Sequence, residues 1–352
     1  MPQLAPIAPA LLAWFKENAR SLPFRADPTP YHIWVSEIML QQTRVAAALD
    51  HYARFMQALP TVRHLAGCSE EQLFKLWEGL GYYSRAKNLQ KAARIVCEQY
   101  GGRLPADYNA LLKLPGIGEY TAGAIASIAF GLPAVAVDGN VLRVFSRLYN
   151  DRGNIMDPAV KKAFSARVQA HQPPDAPGPY NEALMELGAL VCLPGGPPLC
   201  ERCPLAGLCR AKAAGVQQSL PVKTKPAARR VQPVTLLLVR SAGGWLLQQR
   251  PAKGLLAGLW QPLLFEEALT EAQALQRLEA LGLVPDPAAP CLPLAPAKHI
   301  FSHIEWHMGG WQLCAAGAAP AGCVWAAPDQ VERRYALPGA FKAYRPLLTA
   351  GP

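Results

Sequence analysis

Residues 114–149 read LPGIGEYTAGAIASIAFGLPAVAVDGNVLRVFSRLY. Pro115-Gly116-Ile117-Gly118 stands between an apolar run and a small-residue segment, Thr121–Phe130, and predicts a tight hairpin between two helices. Glycines at 116 and 118 allow close backbone approach, and the start of the following helix leaves outward-pointing N–H groups without partners. Such a turn can grip a phosphate. A second loop, bearing Gly131 and Pro133, leads to Val135-Ala136-Val137-Asp138-Gly139-Asn140. Apolar residues at Val141, Val144, Phe145 and Leu148 then predict another helix. Asp138 falls at its start, where an aspartate accepts helix N–H bonds. Capping alone accounts for its presence, and a second use of the same carboxylate is compatible with capping.

Working outward, the 352-residue chain is long enough for two domains with separate cores. It is 51 % hydrophobic and only 17 % charged, which excludes a disordered tail. The net charge of +10 is unevenly placed: residues 1–230 hold 26 Lys and Arg against 17 Asp and Glu, whereas 231–352 hold 9 against 8. A polyanion is therefore expected to dock on the first part. No apolar run reaches membrane-spanning length and no basic residues precede the first apolar ones, so a cytoplasmic protein with no membrane partner is expected. In a bacterium it would associate with the nucleoid.

Five of the nine cysteines (Cys68, Cys97, Cys291, Cys314, Cys323) are scattered, while four form Cys192-x7-Cys200-x2-Cys203-x5-Cys209. That usage fits a reducing compartment and one metal site. Zinc and a 4Fe–4S cluster both take four thiolates, so the spacing alone leaves both open. Four protein ligands leave no open coordination position, and a structural role is expected for the group rather than a catalytic one.

Residues 7–20 predict an amphipathic helix, the stretch from Ser21 to Pro30 a loop, and Tyr31–Arg44 a second helix. Glu37 is anomalous there, flanked by Trp34, Val35, Ile38, Met39 and Leu40. Desolvation in such company raises a carboxyl pKa and keeps the proton near neutrality, which suits a general acid. On the residues alone, a solvent-facing Glu37 is the competing reading. Between Leu73 and Leu89, Gly79 and Gly81 break the helix beside Arg85 and Lys87. They leave Tyr82 and Tyr83 near a loop, where a ring either wedges between bases or fills a core. Residues 155–190 predict helices interrupted at Gln172–Pro179.

From Arg210 to Arg230 there are six basic residues and no acidic one, with breaks at Pro221 and Pro226, which reads as a linker. Val234–Arg240, Gly244–Gln249 and His299–Met308 predict strands and Ala268–Leu281 a helix, an α/β or α+β module. His299, His303 and His307 would align on a helix as metal ligands, but the apolar alternation favours a strand.

LPGIGEYTAGAI followed by VDGNVLRV resembles the helix-hairpin-helix, Gly/Pro…Asp signature of the base-excision DNA glycosylase superfamily. WVSEIMLQQT (Trp34–Thr43) and the four-cysteine loop narrow the resemblance to its adenine-specific MutY family. The last third resembles the MutT-type Nudix fold, but its helix EALTEAQALQRLEALG lacks the carboxylate cluster that holds Mg²⁺ in hydrolytic members. It is expected to recognise a lesion without hydrolysing it.

The resemblance implies a mainly α helix-hairpin-helix catalytic domain over residues 1–210, with the hairpin at about 112–130 and an iron–sulfur loop at 192–209. A basic linker at 211–232 and an α+β Nudix-like lesion-recognition domain at 233–352 follow. It also implies a 4Fe–4S cluster on Cys192, Cys200, Cys203 and Cys209. The first cysteine gap holds seven residues here where the family usually has six. Gly116 and Gly118 would contact the DNA backbone, and Arg202 and Arg210 would lie close to phosphates.

The implied reaction is excision of adenine mispaired with 8-oxoguanine or guanine in double-stranded DNA, by a monomer. It needs one acid and one anion, the two-carboxylate logic of glycosidases applied to an N-glycosidic bond. Glu37 is assigned as general acid to adenine N7 and Asp138 as the carboxylate facing the oxocarbenium carbon. The resemblance adds Tyr120 as a donor bridging the carboxylates, Asn140 as an orienting partner, and Arg25 and Glu182 as contacts to the flipped base. Gln42 and Tyr82 would enter the DNA stack, with Thr43 and Leu80 as neighbouring substrate contacts. Phe301-Ser302-His303 would sense the oxidised guanine, Ser302 bonding its Hoogsteen edge. Phe24 departs from the tryptophan of many relatives. Tyr120 stands where endonuclease-III-like relatives place a Schiff-base lysine, so a monofunctional glycosylase is expected. The alternatives are a bifunctional glycosylase/lyase and a non-catalytic DNA-binding scaffold.

Overall fold

The computed structural model describes residues 4–224 and 228–350. The chain divides by compactness into two units, Met1–Gly67 with Asn88–Lys225, and Cys68–Lys87 with Pro226–Pro352. By compactness residues 68–87 thus group with the second unit, a grouping that sequence proximity does not suggest.

The first unit is helical. It contains α1 (Ala8–Asn18), α2 (Pro23–Ala26), α3 (Pro30–Leu40), α4 (Val45–Ala58) and α5 (Val62–Gly67). After α6 (Glu70–Trp77), which lies in the second unit, come α7 (Ser84–Gln99), α8 (Tyr108–Leu112) and α9 (Glu119–Ala124). A π-helical turn (Ile125–Ala129) extends α9, and α10 (Gly139–Tyr149), α11 (Pro158–Ala170), α12 (Pro177–Leu190) and α13 (Arg210–Ala213) complete the unit. The central core joins Ile7 and Leu11 to Val144, Phe145 and Leu148 of α10, Phe164 of α11, and Tyr180, Leu184 and Leu187 of α12.

Periodicity predicts one apolar stripe on α10, yet all nine residues from Val141 to Tyr149 are buried, Arg143 and Arg147 included. A helix surrounded on all sides can carry cations only if their N–H groups are matched by acceptors. Carbonyl oxygens do so here. Arg143 Nη2 donates to Gly188 O (2.8 Å) and Nε to Cys192 O (2.7 Å), while Arg147 Nε donates to Leu220 O (3.1 Å) and Nη1 to Leu193 O (2.9 Å).

Several local expectations change. The loop after Ser21 contains the short helix α2, started by Pro23 at its first position. The helix expected over Tyr31–Arg44 stops at Leu40, and Gln42 sits at φ 57° in the turn before α4. Gly116 needs its left-handed φ of 79°, but Gly118 is extended at φ −95° and caps α9, which starts at Glu119. The basic linker is not a free tether over its first half: α13, a 3₁₀ turn at Gln217–Ser219 and a bridge between Asn154 and Val222 hold it on the first unit. Residues 225–227, within the expected linker, lie outside the described residues.

In the second unit, β1 (Arg230–Ser241) is central, and the strand begins inside the span read as linker. It pairs antiparallel with β2 (Gly244–Gln249) and β4 (Leu263–Phe265), and parallel with β8 (Ile304–Ala316) from Arg230↔Ile304 to Arg240↔Cys314. The two-residue β3 (Trp260–Gln261) and β9 (Cys323–Ala326) extend β2. β5 (Val284–Pro285), β6 (Leu292–Pro293) and β7 (Ala297–Ile300) each pair antiparallel with β8.

Val234–Val239 of β1 are buried without alternation because both faces of the sheet are covered. Leu236 and Leu238 face a core with Trp306, Phe341 and Leu348, while Leu237 and Val239 face α14 (Glu271–Ala280) through Ala274 and Leu278. The single strand expected over His299–Met308 is instead a hairpin, with Phe301-Ser302-His303 at the turn between β7 and β8. His299, His303 and His307 are thus spread over strand, turn and strand.

Candidate active site and cysteine loop

Asp138 is the N-cap of α10: its Oδ1 accepts from Val141 N (2.8 Å) and its Oδ2 from Asn140 Nδ2 (2.7 Å). Burial pushes its carboxyl above the ordinary aspartate range, while these donors and the nearby Arg143 charge pull against that rise. The loop that delivers it is pinned by Asn181 of α12, fully buried, which accepts from Ala136 N (3.1 Å) and donates to Ala134 O and Ser127 Oγ (both 2.8 Å). Asn140 is held in turn by Arg143, whose Nη2 donates to Asn140 Oδ1 (2.8 Å). Gly188 completes the seat, because a Cβ there would lie 2.5 Å from Asn140 Cβ.

Glu37 does not face solvent. It is only 7 % exposed on α3, and Tyr120 Oη donates to its Oε2 at 2.5 Å. Desolvation pushes the Glu37 carboxyl up to about 7, against the Tyr120 hydrogen bond, with the negative charges of Asp138 and Glu182 adding to the rise and Arg25 opposing it. Burial and the charges of Glu37 and Asp138 raise Tyr120 well above the ordinary phenol range, so it stays a donor. Beside them, Arg25 Nε lies 3.0 Å from Glu182 Oε1 and Nη2 2.9 Å from Glu186 Oε2. Burial would raise Glu186, but hydrogen bonds from Arg20 and Arg25 outweigh it and hold this carboxylate at about 2.

The structure therefore gathers Glu37, Tyr120, Asp138, Asn140, Arg25 and Glu182 into one charged neighbourhood. A cavity of about 440 Å³ is lined by Tyr120 and Asp138, within the ~300–1,000 Å³ of small-molecule sites. Glu37 is not in its wall. Its Oε2 accepts from the Tyr120 hydroxyl, and of the two carboxylates only Asp138 lines this cavity. Phe24 packs away, edge-on to Tyr52 with ring centroids 5.7 Å apart.

Sequence reading missed Arg20, Asn181, Glu186, Arg143 and Arg147. The last two carried a usable signal, paired cations four residues apart in an apolar helix, the same kind of anomaly that marks Glu37.

Cys192, Cys200, Cys203 and Cys209 line a single cavity with Arg147 and Leu187. Desolvation pushes the Cys203 thiol up to about 12, with the other three sulfurs close enough to add to the rise. Arg147 Nη1 donates to Cys192 Sγ (3.2 Å). Among the described residues, no group of three or more His, Cys, Asp or Glu is drawn close enough to hold a metal ion. The seven-residue first gap closes as a loop, Leu199 N donating to Val191 O (2.9 Å). Arg202 is exposed and Arg210 lies over the Tyr149 ring at 5.5 Å.

In the second unit the two tyrosines separate. Tyr83 is buried edge-on to Phe74, whereas Tyr82 is 51 % exposed at φ 47°. Leu80 is buried, its carbonyl accepting from Arg85 Nη2 (2.8 Å). The Tyr82 hydroxyl lies 3.3 Å from Ser302 Oγ. Phe301 stacks edge-on against Trp306 and His299, which leaves Ser302 and His303 exposed at the hairpin turn. In the first unit, Gln42 is exposed in its turn, and Thr43 Oγ1 donates to Gln41 O (3.4 Å).

Residues 35–170 match the HhH-GPD superfamily base excision DNA repair protein model and residues 234–345 the NUDIX domain model. The chain is 37 % identical over 366 residues to the adenine DNA glycosylase of Rattus norvegicus, spanning 88 % of this chain and 71 % of that protein. It is 36 % identical over 369 residues to that of Homo sapiens, spanning 88 % and 67 %. Among solved structures, a thermostable thymine-DNA glycosylase aligns with a TM-score of 0.54 at 28 % identity, covering 59 % of this chain and 95 % of that one. A non-covalent endonuclease III–DNA complex aligns at 0.51 and 26 %, covering 60 % and 97 %.

Proposed function

We propose that this chain, which belongs to the adenine DNA glycosylase family, takes its adenine from mispairs with 8-oxoguanine or guanine in duplex DNA. It is a DNA repair glycosylase acting on adenine. The observation that carries the mechanism is the pairing of a buried, proton-holding Glu37 with a capped, partly buried Asp138 around Tyr120.

An adenine leaves deoxyribose slowly unless its N7 is protonated, and the sugar develops positive charge at C1′. Glu37, raised to about 7, holds a transferable proton under neutral conditions, and the Tyr120 hydroxyl steadies the carboxylate that remains. Asp138 supplies the opposing anion, fixed by Val141 N–H and Asn140 so that it needs no reorientation as charge appears. Arg25 and Glu182 offer a donor and an acceptor to the edge of the extruded base. Position 120 is a tyrosine, which has no amine for a Schiff base, and this supports base release without efficient strand cleavage.

Tyr82 and Ser302, already within 3.3 Å of one another, are read as the wedge and the lesion contact on the opposite strand. The four cysteines around one cavity fit the donor set of a 4Fe–4S cluster, which when bound supplies iron–thiolate cross-links across the loop. Arg143 and Arg147 tie that loop to the helix capped by Asp138.

The test is an incision assay on duplexes carrying adenine opposite 8-oxoguanine, guanine or thymine, with borohydride added in parallel. Adenine release confined to the first two, with no efficient covalent trapping, is expected. Efficient trapping, or release from adenine:thymine pairs at the same rate, would overturn the reading.

A further inference from the structure

We propose that Lys223, on the segment leading to the second unit, acts with Lys161 to hold a backbone phosphate of the extruded deoxyadenosine beside Asp138. The proposal rests on the adenine-excision reading and adds the residues that seat the nucleotide's phosphate.

The cavity of about 440 Å³ that contains Tyr120 and Asp138 is also lined by Lys161 of α11 and by Lys223. Both lysines are exposed, and among the described residues neither ammonium has an ion-pair partner. Glu119 is the other acidic residue in the lining. Lys223 is not there by the accident of a loose chain. Ile155 N donates to Val222 O (3.0 Å), Asn154 Oδ1 accepts from Thr224 N (3.2 Å), and Asn154 Nδ2 donates to Thr224 Oγ1 (2.5 Å). The segment is thus laced to residues 154–155 on both sides of Lys223, and Arg147 holds Leu220 O just before it. Met156, 53 % exposed, lies on the same cavity and offers an apolar surface of the kind a deoxyribose face needs.

Electrostatics says what the two cations require. Positive charge develops at C1′ next to Asp138, and two unneutralised ammoniums in the same cavity would oppose it. A phosphodiester seated on them removes that opposition and fixes the sugar between phosphate and carboxylate. The chemistry matches: each lysine is a point charge for phosphate oxygen, and a nucleotide drawn out of the helix brings its own phosphates with it.

The experiment measures binding of the full chain to a duplex with a non-cleavable fluorinated deoxyadenosine opposite 8-oxoguanine, and to a fully matched duplex, over a range of salt. For Lys161→Gln/Lys223→Gln the slope of log affinity against log salt should fall by about 1, the one phosphate no longer neutralised, on the mispair and stay as in the parent on the matched duplex. Lys161→Gln/Lys223→Arg should recover most of that loss, because one cation still neutralises the phosphate, which a merely structural role for Lys223 would not produce. An unchanged slope on the mispair, or an equal loss on both duplexes, overturns the proposal. Parent protein that binds in this way but releases no adenine would instead sink the excision reading and leave the phosphate seat standing.

Discussion

The hydroxyl of Tyr120 lies 2.5 Å from Oε2 of Glu37, and Tyr120 lines the same cavity as Asp138. Burial, the larger influence on Glu37, drives its pKa up to about 7, and the tyrosine bond only moderates the rise. Since the acid form does the work, single-turnover adenine release should decline as pH climbs through about 7. Rates measured from pH 5 to 9 check this; a profile flat through neutrality would show that Glu37 does not deliver the proton.

The same burial sets a cost in stability. The folded pKa of Glu37 exceeds its unfolded value, so the folded state binds the extra proton, and stability is lost as pH rises from the unfolded pKa of 4.5 to about 7. The full loss is on the order of 3 kcal/mol. Glu37→Gln keeps an oxygen for Tyr120 and never ionises, so it should unfold at higher denaturant than the parent at pH 8 and at nearly equal denaturant at pH 4. Chemical denaturation at the two pH values reads this directly.

Gly188 faces Asn140 so closely that an added Cβ would sit 2.5 Å from Asn140 Cβ. In a helix, alanine for glycine gains roughly 0.5–1 kcal/mol of propensity, whereas forcing a methyl into a packed contact costs typically ~1–3 kcal/mol. The contact is with atoms next to the backbone, which cannot swing aside, so the clash wins. Gly188→Ala should lower Tm and slow adenine release, because Asn140 and with it Asp138 must shift; a variant at least as stable and as active as the parent would contradict this seat.

Freshly purified protein should absorb broadly in the visible and contain iron, and Cys203→Ser should lose both. Its sulfur is the one most strongly raised by burial among the four, and leaving it without metal keeps a neutral thiol in the loop. Metal analysis finding zinc in place of iron would replace the cluster with a single-ion site.

Much of this site was legible in the sequence because anomalies of residue type survive folding. A carboxylate among tryptophan and isoleucine at Glu37 and an aspartate at a predicted helix start at Asp138 both kept their meaning. The run Val234–Arg240 was likewise legible as a strand, though not that both of its faces would be covered. Hidden were the features that depend on what packs against an element. The grouping of residues 68–87 with the second unit rests on contacts far apart in the chain, such as Glu78 accepting from Leu337 N (2.9 Å) and pairing with Arg345 (3.2 Å). The break in the third helix turns on the left-handed Gln42, a backbone state that glutamine does not advertise. Asn181, a polar residue in a helix, gave no hint that it would bind Ala134 O and Ala136 N of the loop behind Asp138 together with Ser127 Oγ.

The most direct test compares single-turnover adenine release by the parent, Glu37→Gln and Asp138→Asn on an 8-oxoguanine:adenine duplex, with mispair affinity measured alongside. Each variant should lose release by on the order of 10²-fold or more while still binding the mispair. Release at the parent rate by either variant, or loss of binding in step with loss of release, would contradict the assignment of these two carboxyl groups.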